Sequence, residues 1–130
     1  MGEIQFRKVE VSIRTTGLMG EPFQFEADLR PSPGLLQVEK DRLEIYLKRY
    51  GNKVHSRTRV VIGFGLDHFV VGFYPRTVVT GVSSMLLDDI RSKYIAALVW
   101  AIKRATDGSC RFSDDMQVYL EDEKDPEKQH

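Results

Sequence analysis

The densest group of chemically useful side chains is Lys48-Arg49-Tyr50-Gly51-Asn52-Lys53-Val54-His55-Ser56-Arg57-Thr58-Arg59. Five bases and one histidine fall in these twelve residues, with no acid among them. Lys48, Arg49, Lys53, His55, Arg57 and Arg59 are the candidate anion-binding residues. Tyr50 offers a ring for stacking, and Asn52, Ser56 and Thr58 offer donors. That mixture suits a phosphate, an acidic peptide or single-stranded nucleic acid. The bland alternative is a solvated connector whose bases complement the negative end of the helix before it.

Three glycines form a second candidate. Gly63, Gly65 and Gly72 remove side chains where cross-strand neighbours would stand, so something approaches closely there or the sheet bends. The expected occupant is the second helix, through its small Ala96, Ala97 and Ala101. A groove for a ligand or another chain is the alternative.

Other chemistry is poorly supported. No Gly-x-x-x-x-Gly-Lys-Ser/Thr run occurs. Gly63-Phe64-Gly65 lacks the third glycine of a dinucleotide fingerprint and leads into a strand rather than a helix. Asp67-His68 reads as a polar hairpin tip, since adjacent turn residues diverge too much to share a metal. The single cysteine, Cys110, excludes an internal disulfide and a Cys-based zinc site. Arg111 beside it could lower its pKa, but a buried, hydrophobe-like thiol is the simpler reading. Asp88-Asp89 and Asp114-Asp115 are explained by a helix end and a turn. The reading leans away from an enzyme and names no cofactor.

The elements that would position these residues are clear in outline. Phe23, Phe25, Ala27 and Leu29 alternate with Gln24, Glu26, Asp28 and Arg30, a strand with one wet face. Val9, Val11 and Ile13 form the strand before it, with a start or bulge at Arg7-Lys8, where the apolar phase slips. Gly17 to Gly20 is the turn between them. Ser32 is expected to cap a helix with Pro33 at its first position, and Gly51-Asn52 to end it. Its apolar stripe is Leu36, Leu43, Leu47 and Tyr50.

The next strand is read as Arg57–Leu66, with Arg57 and Arg59 on the face of Gly63 and Gly65. A two-residue turn at Asp67-His68 places Gly63 opposite Gly72 and Phe64 opposite Val71. Arg76 to Thr80 is a possible continuation beyond Pro75. The second helix starts at Ser83 or Ser84 and stops at Gly108. It is apolar all round from Tyr94 to Ile102, which implies a central position. A last strand is read over Met116–Leu120. The fold expected is α+β, ordered β-β-α-β-β-α-β, with a mainly antiparallel sheet and two helices.

Composition bounds the function. The chain has 130 residues, with 19 Lys+Arg against 19 Asp+Glu, so no global field draws it to a polyanion. Residues 1–120 read as one domain and 121–130 as an acidic, disordered tail. From Asp114 onward seven acids face two bases, a net −5 that leaves +5 on residues 1–113. No apolar run approaches the roughly 20 residues of a membrane span. With one thiol and no export signal at Met1–Lys8, the expected compartment is the cytoplasm. The function expected is that of a non-enzymatic protein-interaction or homo-oligomeric assembly module. Uncovered apolar area on the Phe64–Tyr74 hairpin points to self-association. The alternative is a binder of phosphate or nucleic acid through the basic connector.

Overall fold

The computed structural model describes residues 6–17, 22–75, 84–121 and 126, with only the helical backbone for 84–86. The element order is β1 (Arg7–Thr16), β2 (Gln24–Ser32), α1 (Gln37–Val54), β3 (Arg59–Phe64), β4 (Phe69–Tyr74), α2 (Ser84–Ala105), β5 (Cys110–Arg111) and α3 (Asp114–Glu121). The strands form one mixed sheet in the order β3-β4-β2-β1-β5. All pairings are antiparallel except β1 with β5. The fold is therefore α+β, with three helices among the described residues where the sequence pattern indicated two.

The alternation in β2 works as its pattern demands. Phe23, Phe25, Ala27 and Leu29 are buried, and Phe25 lies opposite Phe73 of β4. α1 and α2 pack on this side of the sheet. Leu43, Leu47 and Tyr50 of α1 are fully buried, as are Tyr94, Ala97, Leu98, Ala101 and Ala105 of α2. Trp100 is also buried, and its indole N–H donates to the Tyr119 carbonyl at 3.0 Å. The apolar girth of α2 is thus used on several sides, against the sheet, α1 and α3.

Tyr94 is the hub of the core. Its ring lies 5.0 Å from that of Phe73, 5.8 Å from Phe25 and 6.0 Å from Phe23. Its hydroxyl is 2.9 Å from Thr58 Oγ1, and Thr58 Oγ1 donates its one proton to the His55 carbonyl at 2.6 Å. Tyr94 is therefore the donor to Thr58. Burial raises the Tyr94 pKa, so the phenol keeps the proton it donates.

At the other end of the sheet, Arg7 ties three elements together. Its guanidinium makes a bidentate pair with Glu39 of α1, with Nη1 to Oε1 at 2.7 Å and Nη2 to Oε2. It also donates to Ser109 Oγ at 2.6 Å, just before β5. Glu39 Oε1 accepts the Leu36 N–H at 2.8 Å, which satisfies an amide at the α1 start.

Several sequence expectations are corrected. Ser32 and Pro33 do not open α1. β2 runs through Pro31 and Ser32, the Ser32–Pro33 bond is cis, and α1 begins four residues later with Leu36 at its N-cap and largely exposed. Pro31 is tolerated in the strand because its nitrogen faces the side where β4 has already ended. Gly51 does not stop α1, which continues to Val54. Gly51 is instead a contact point, since a Cβ there would sit 2.9 Å from the Phe73 ring.

The β3–β4 loop has four residues, not two. Phe64 pairs with Phe69 and Gly63 with Val70, and the Gly65 N–H donates to the His68 carbonyl at 2.7 Å. The slip is two residues, so the faces are as expected but no glycine opposes another. β3 starts at Arg59, and Arg57 lies in the turn before it at φ 65°. Met116–Leu120 is helical rather than extended. Met116 is buried with Tyr119 and Leu120 partly so, an i, i+3, i+4 set, while Val118 is exposed. Asp114 and Asp115 occupy the positive first turn of that helix. The fifth strand is the short Cys110–Arg111, and Gly108 at φ 78° follows α2 as expected, with Asp107 already at φ 52°. Ser84 is the first residue of α2. The Leu18–Gly20 part of the first turn, Ser83, the Arg76–Thr80 continuation and nearly all of the acidic tail lie outside the described residues.

Two tests follow from this packing. Gly51→Ala should destabilise the fold by about 1–3 kcal/mol in urea unfolding, because its Cβ meets an aromatic ring already packed against Tyr94. Glu39→Gln should cost about 2–3 kcal/mol at neutral pH by leaving Arg7 half-paired. The hydrogen bond from Arg7 is the main cause that lowers the Glu39 pKa. Its stabilisation is therefore present above the ordinary carboxylate range and lost as pH falls through the depressed value. The gap between wild type and variant should close in acid, and a gap independent of pH would refute this assignment.

Candidate functional site

The three glycines do not face α2. They belong to the opposite side of the sheet, which carries no helix among the described residues, or to its loop, because α1 and α2 cover the face of Phe25, Phe69, Val71 and Phe73. The small alanines of α2 therefore do not explain them. Gly72 serves a neighbour on its own strand. A Cβ there would stand 2.5 Å from the Tyr74 ring, so its absence lets that ring fold back across the strand. Gly65 does the same for His68, whose ring would be 2.8 Å from its Cβ. Gly63 meets only Val70 at 3.4 Å, an ordinary contact.

The folded-back ring builds a polar chain. Tyr74 donates its hydroxyl proton to Glu26 Oε1 at 3.1 Å, and Arg14 donates to Glu26 Oε2 at 2.5 Å. The Arg59 guanidinium lies over the Tyr74 ring, 5.1 Å from its centroid. The Arg14 hydrogen bond, then that of Tyr74, holds the Glu26 carboxyl below its ordinary pKa. Burial, and then the bond to Glu26, pushes the Tyr74 phenol up.

Beside this chain is a groove of about 470 Å³ lined by Ser12, Arg14, Asp28, Val61, Val70 and Tyr74, among others. Strand pairing sets Ser12, Asp28, Val70 and Gly63 in one row across four strands. Val61 and Val70 are each 43% exposed. Asp28 Oδ1 is shielded from water and has no hydrogen-bond partner among the described residues. The surface thus offers two apolar contacts, flanked by a network already neutralised internally, with the unpartnered Asp28 oxygen beneath it.

The basic connector is not gathered into a site. Lys48 pairs with Glu44 at 3.5 Å on the exposed side of α1, and Arg49 lies over the Tyr46 ring. Lys53 is in the exposed last turn of α1, and His55 is its C-cap, with Nδ1 3.0 Å from the Ser56 carbonyl. Arg57 is in the turn, and Arg59 alone reaches the helix-free face. α1 packs on the other side, so Lys48 and Arg59 are separated by the sheet. Arg57 and Arg59 do not share a strand face.

The remaining candidates resolve locally. Cys110 is buried, and desolvation raises its thiol pKa above the effect of Arg7, which favours the inert thiol. Asp67 and His68 bond each other at 3.0 Å, with Arg30 3.5 Å from Asp67. Among the described residues no group of three or more His, Cys, Asp and Glu side chains could hold a metal ion, and no helix is long and apolar enough to cross a membrane. The Glu26–Tyr74–Gly72 arrangement and the shielded Asp28 were missed at the sequence level. The only signal was a glycine two residues before a tyrosine on a wet strand face.

Gly72→Ala should displace the Tyr74 ring, whose far end can move, and break its bond to Glu26. A site-resolved NMR titration should then show the Tyr74 phenol falling and the Glu26 carboxyl rising toward their ordinary values. Unchanged titrations would refute the role given to Gly72.

Comparison with protein-family models, curated proteins and solved structures finds no match, so the reading of this surface rests on its own geometry and chemistry.

Proposed function

We propose that this chain is a non-enzymatic interaction and assembly module whose working surface is its sheet rather than its helical layer. One observation carries the reading: the helix-free face leaves Val61 and Val70 each 43% exposed along one groove. Neighbouring apolar side chains left in water mark a contact surface. A partner chain that lays an apolar side chain on the two valines removes that area from water. Self-association is the assembly arm of the same reading.

Binding of an anionic ligand or single-stranded nucleic acid through the 48–59 connector draws on less. Its bases are spread over α1, a turn and the far side of the sheet. Glu10, Glu26 and Asp28 share the helix-free face with Arg59, the one connector base that reaches it, so no concentrated positive field is available there to a phosphate chain.

Sedimentation velocity over a wide protein-concentration range, with amide NMR shifts followed in parallel, tests this. The expected result is a concentration-dependent larger species, with shifts on β1, β2 and β4 rather than on the outer face of α1. Val70→Ser should leave the fold intact, because this side chain is exposed, while weakening association. A monomer at every concentration, together with salt-sensitive binding of short RNA or DNA, would replace this reading with the anionic one.

A further inference from the structure

We infer that a second copy of this chain pairs with the outer edge of β1, antiparallel, about a two-fold axis at Ser12. This rests on the self-association arm of the reading above and adds a second contact, at the β1 edge, with its partner and register. β5 pairs with Arg7 and Lys8 of β1 and so takes the Val9 N–H, and among the described residues no strand pairs with that side from Glu10 to Thr16. A long uncovered edge is a template for another strand.

The direction of the backbone groups follows from one bond. The Arg7 N–H donates outward to the Ser109 carbonyl at 2.8 Å. Backbone groups alternate sides along a strand, so those of Val9, Val11, Ile13 and Thr15 also point outward. With the axis at Ser12, Val11 faces Ile13 of the second copy and exchanges two bonds with it, and the Val9 carbonyl accepts from Thr15, because the Val9 N–H is taken by the parallel ladder to Arg111. By symmetry that makes about six hydrogen bonds across the junction. β5 ends at Arg111, where Phe112 turns its N–H to the Gln117 side chain, so the slot opens just past the Val9 N–H, at the Val9 carbonyl.

Side chains select this register. On the helix side, half-buried Val11 and Ile13 meet each other and extend the core across the junction. On the helix-free side, Glu10 meets Arg14 of the second copy, twice by symmetry, and Ser12 meets Ser12. Arg14 is largely exposed beyond its pair with Glu26, so it can bridge both acids. An axis at Glu10 or Arg14 would oppose like charges, and an axis at Val11 would set Lys8 against Arg14. The other edge, β3, is shorter, carries Gly63 and has no acid to answer Arg59. The product is an isologous dimer with one continuous ten-stranded sheet, two copies of the five-stranded one.

The test uses the full chain and disulfide trapping. Ser12 would form a non-hydrogen-bonded pair with its own copy, with Cβ atoms about 4.5–5.5 Å apart, within reach of a disulfide after small adjustment. Ser12→Cys should give a covalent dimer on mild oxidation, and buried Cys110 should stay unreacted. Glu10→Cys alone and Arg14→Cys alone should not cross-link, but their mixture should. Val11→Pro removes an outward N–H without touching the β2 ladder and should yield a folded monomer. Glu10→Lys, which alters only an exposed side chain, should raise the dimer dissociation constant by about tenfold. If the wild type associates but Ser12→Cys does not cross-link and Val11→Pro still associates, this edge is overturned while the assembly reading stands. If the wild type is monomeric throughout, both the self-association and this pairing fail.

Discussion

Tyr94 sets the constraint on which the rest of the structure depends. One fully buried ring touches Phe23 and Phe25 of the β2 segment and Phe73 of β4, so it fixes α2 on the middle of the sheet. A phenol buried this deeply needs a partner for its hydroxyl. Thr58 supplies it, and Thr58 is held in turn by the His55 carbonyl at the α1 terminus. One side chain thus joins the sheet core to the turn that delivers β3. Phe73 also lies within van der Waals reach of Gly51, so α1 is set at a close distance by the same aromatic group.

This anchoring is one-sided, and the two faces of the sheet diverge as a result. The inner face is aromatic and dry. The outer face has no helix among the described residues, and alternation makes it polar, with Lys8, Glu10, Arg14, Glu26, Asp28 and Arg30 along β1 and β2. These charges largely answer one another, as in Arg14–Glu26 and the Tyr74 bond to the same carboxyl. Val61, Val70 and the shielded Asp28 oxygen are the exceptions, and they are adjacent. Local departures from an otherwise satisfied pattern are where contact with another chain is expected.

The basic connector illustrates how sequence clustering and spatial clustering differ. Its residues are neighbours along the chain but sit on a helix flank, a cap, a left-handed turn and a strand. A helix turns 100° per residue and a strand alternates faces, so a run that crosses both cannot present all its side chains in one direction. Each base finds a local role, such as Lys48 with Glu44, Arg49 on Tyr46 or Arg59 on Tyr74.

The sequence by itself determined the α+β class, the antiparallel β1–β2 hairpin, the inward face of β2, the faces of β3 and β4, and the burial of α2 around Leu98 and Trp100. Each is a periodicity of 2 or 3.6 carried over enough residues to be unambiguous. Met116–Leu120 was too short for that: its apolar residues fit alternation as well as i, i+3, i+4, and only packing against Trp100 and α2 selects the helix. The loop length between β3 and β4, and therefore the register, depends on the Gly65–His68 bond that a two-residue turn would lack. The glycines were legible as close approaches, but not what approaches them. Gly51 receives Phe73 from a distant strand, and Gly72 receives a ring from its own strand, because these contacts are set by how separate elements meet in space rather than by any local pattern.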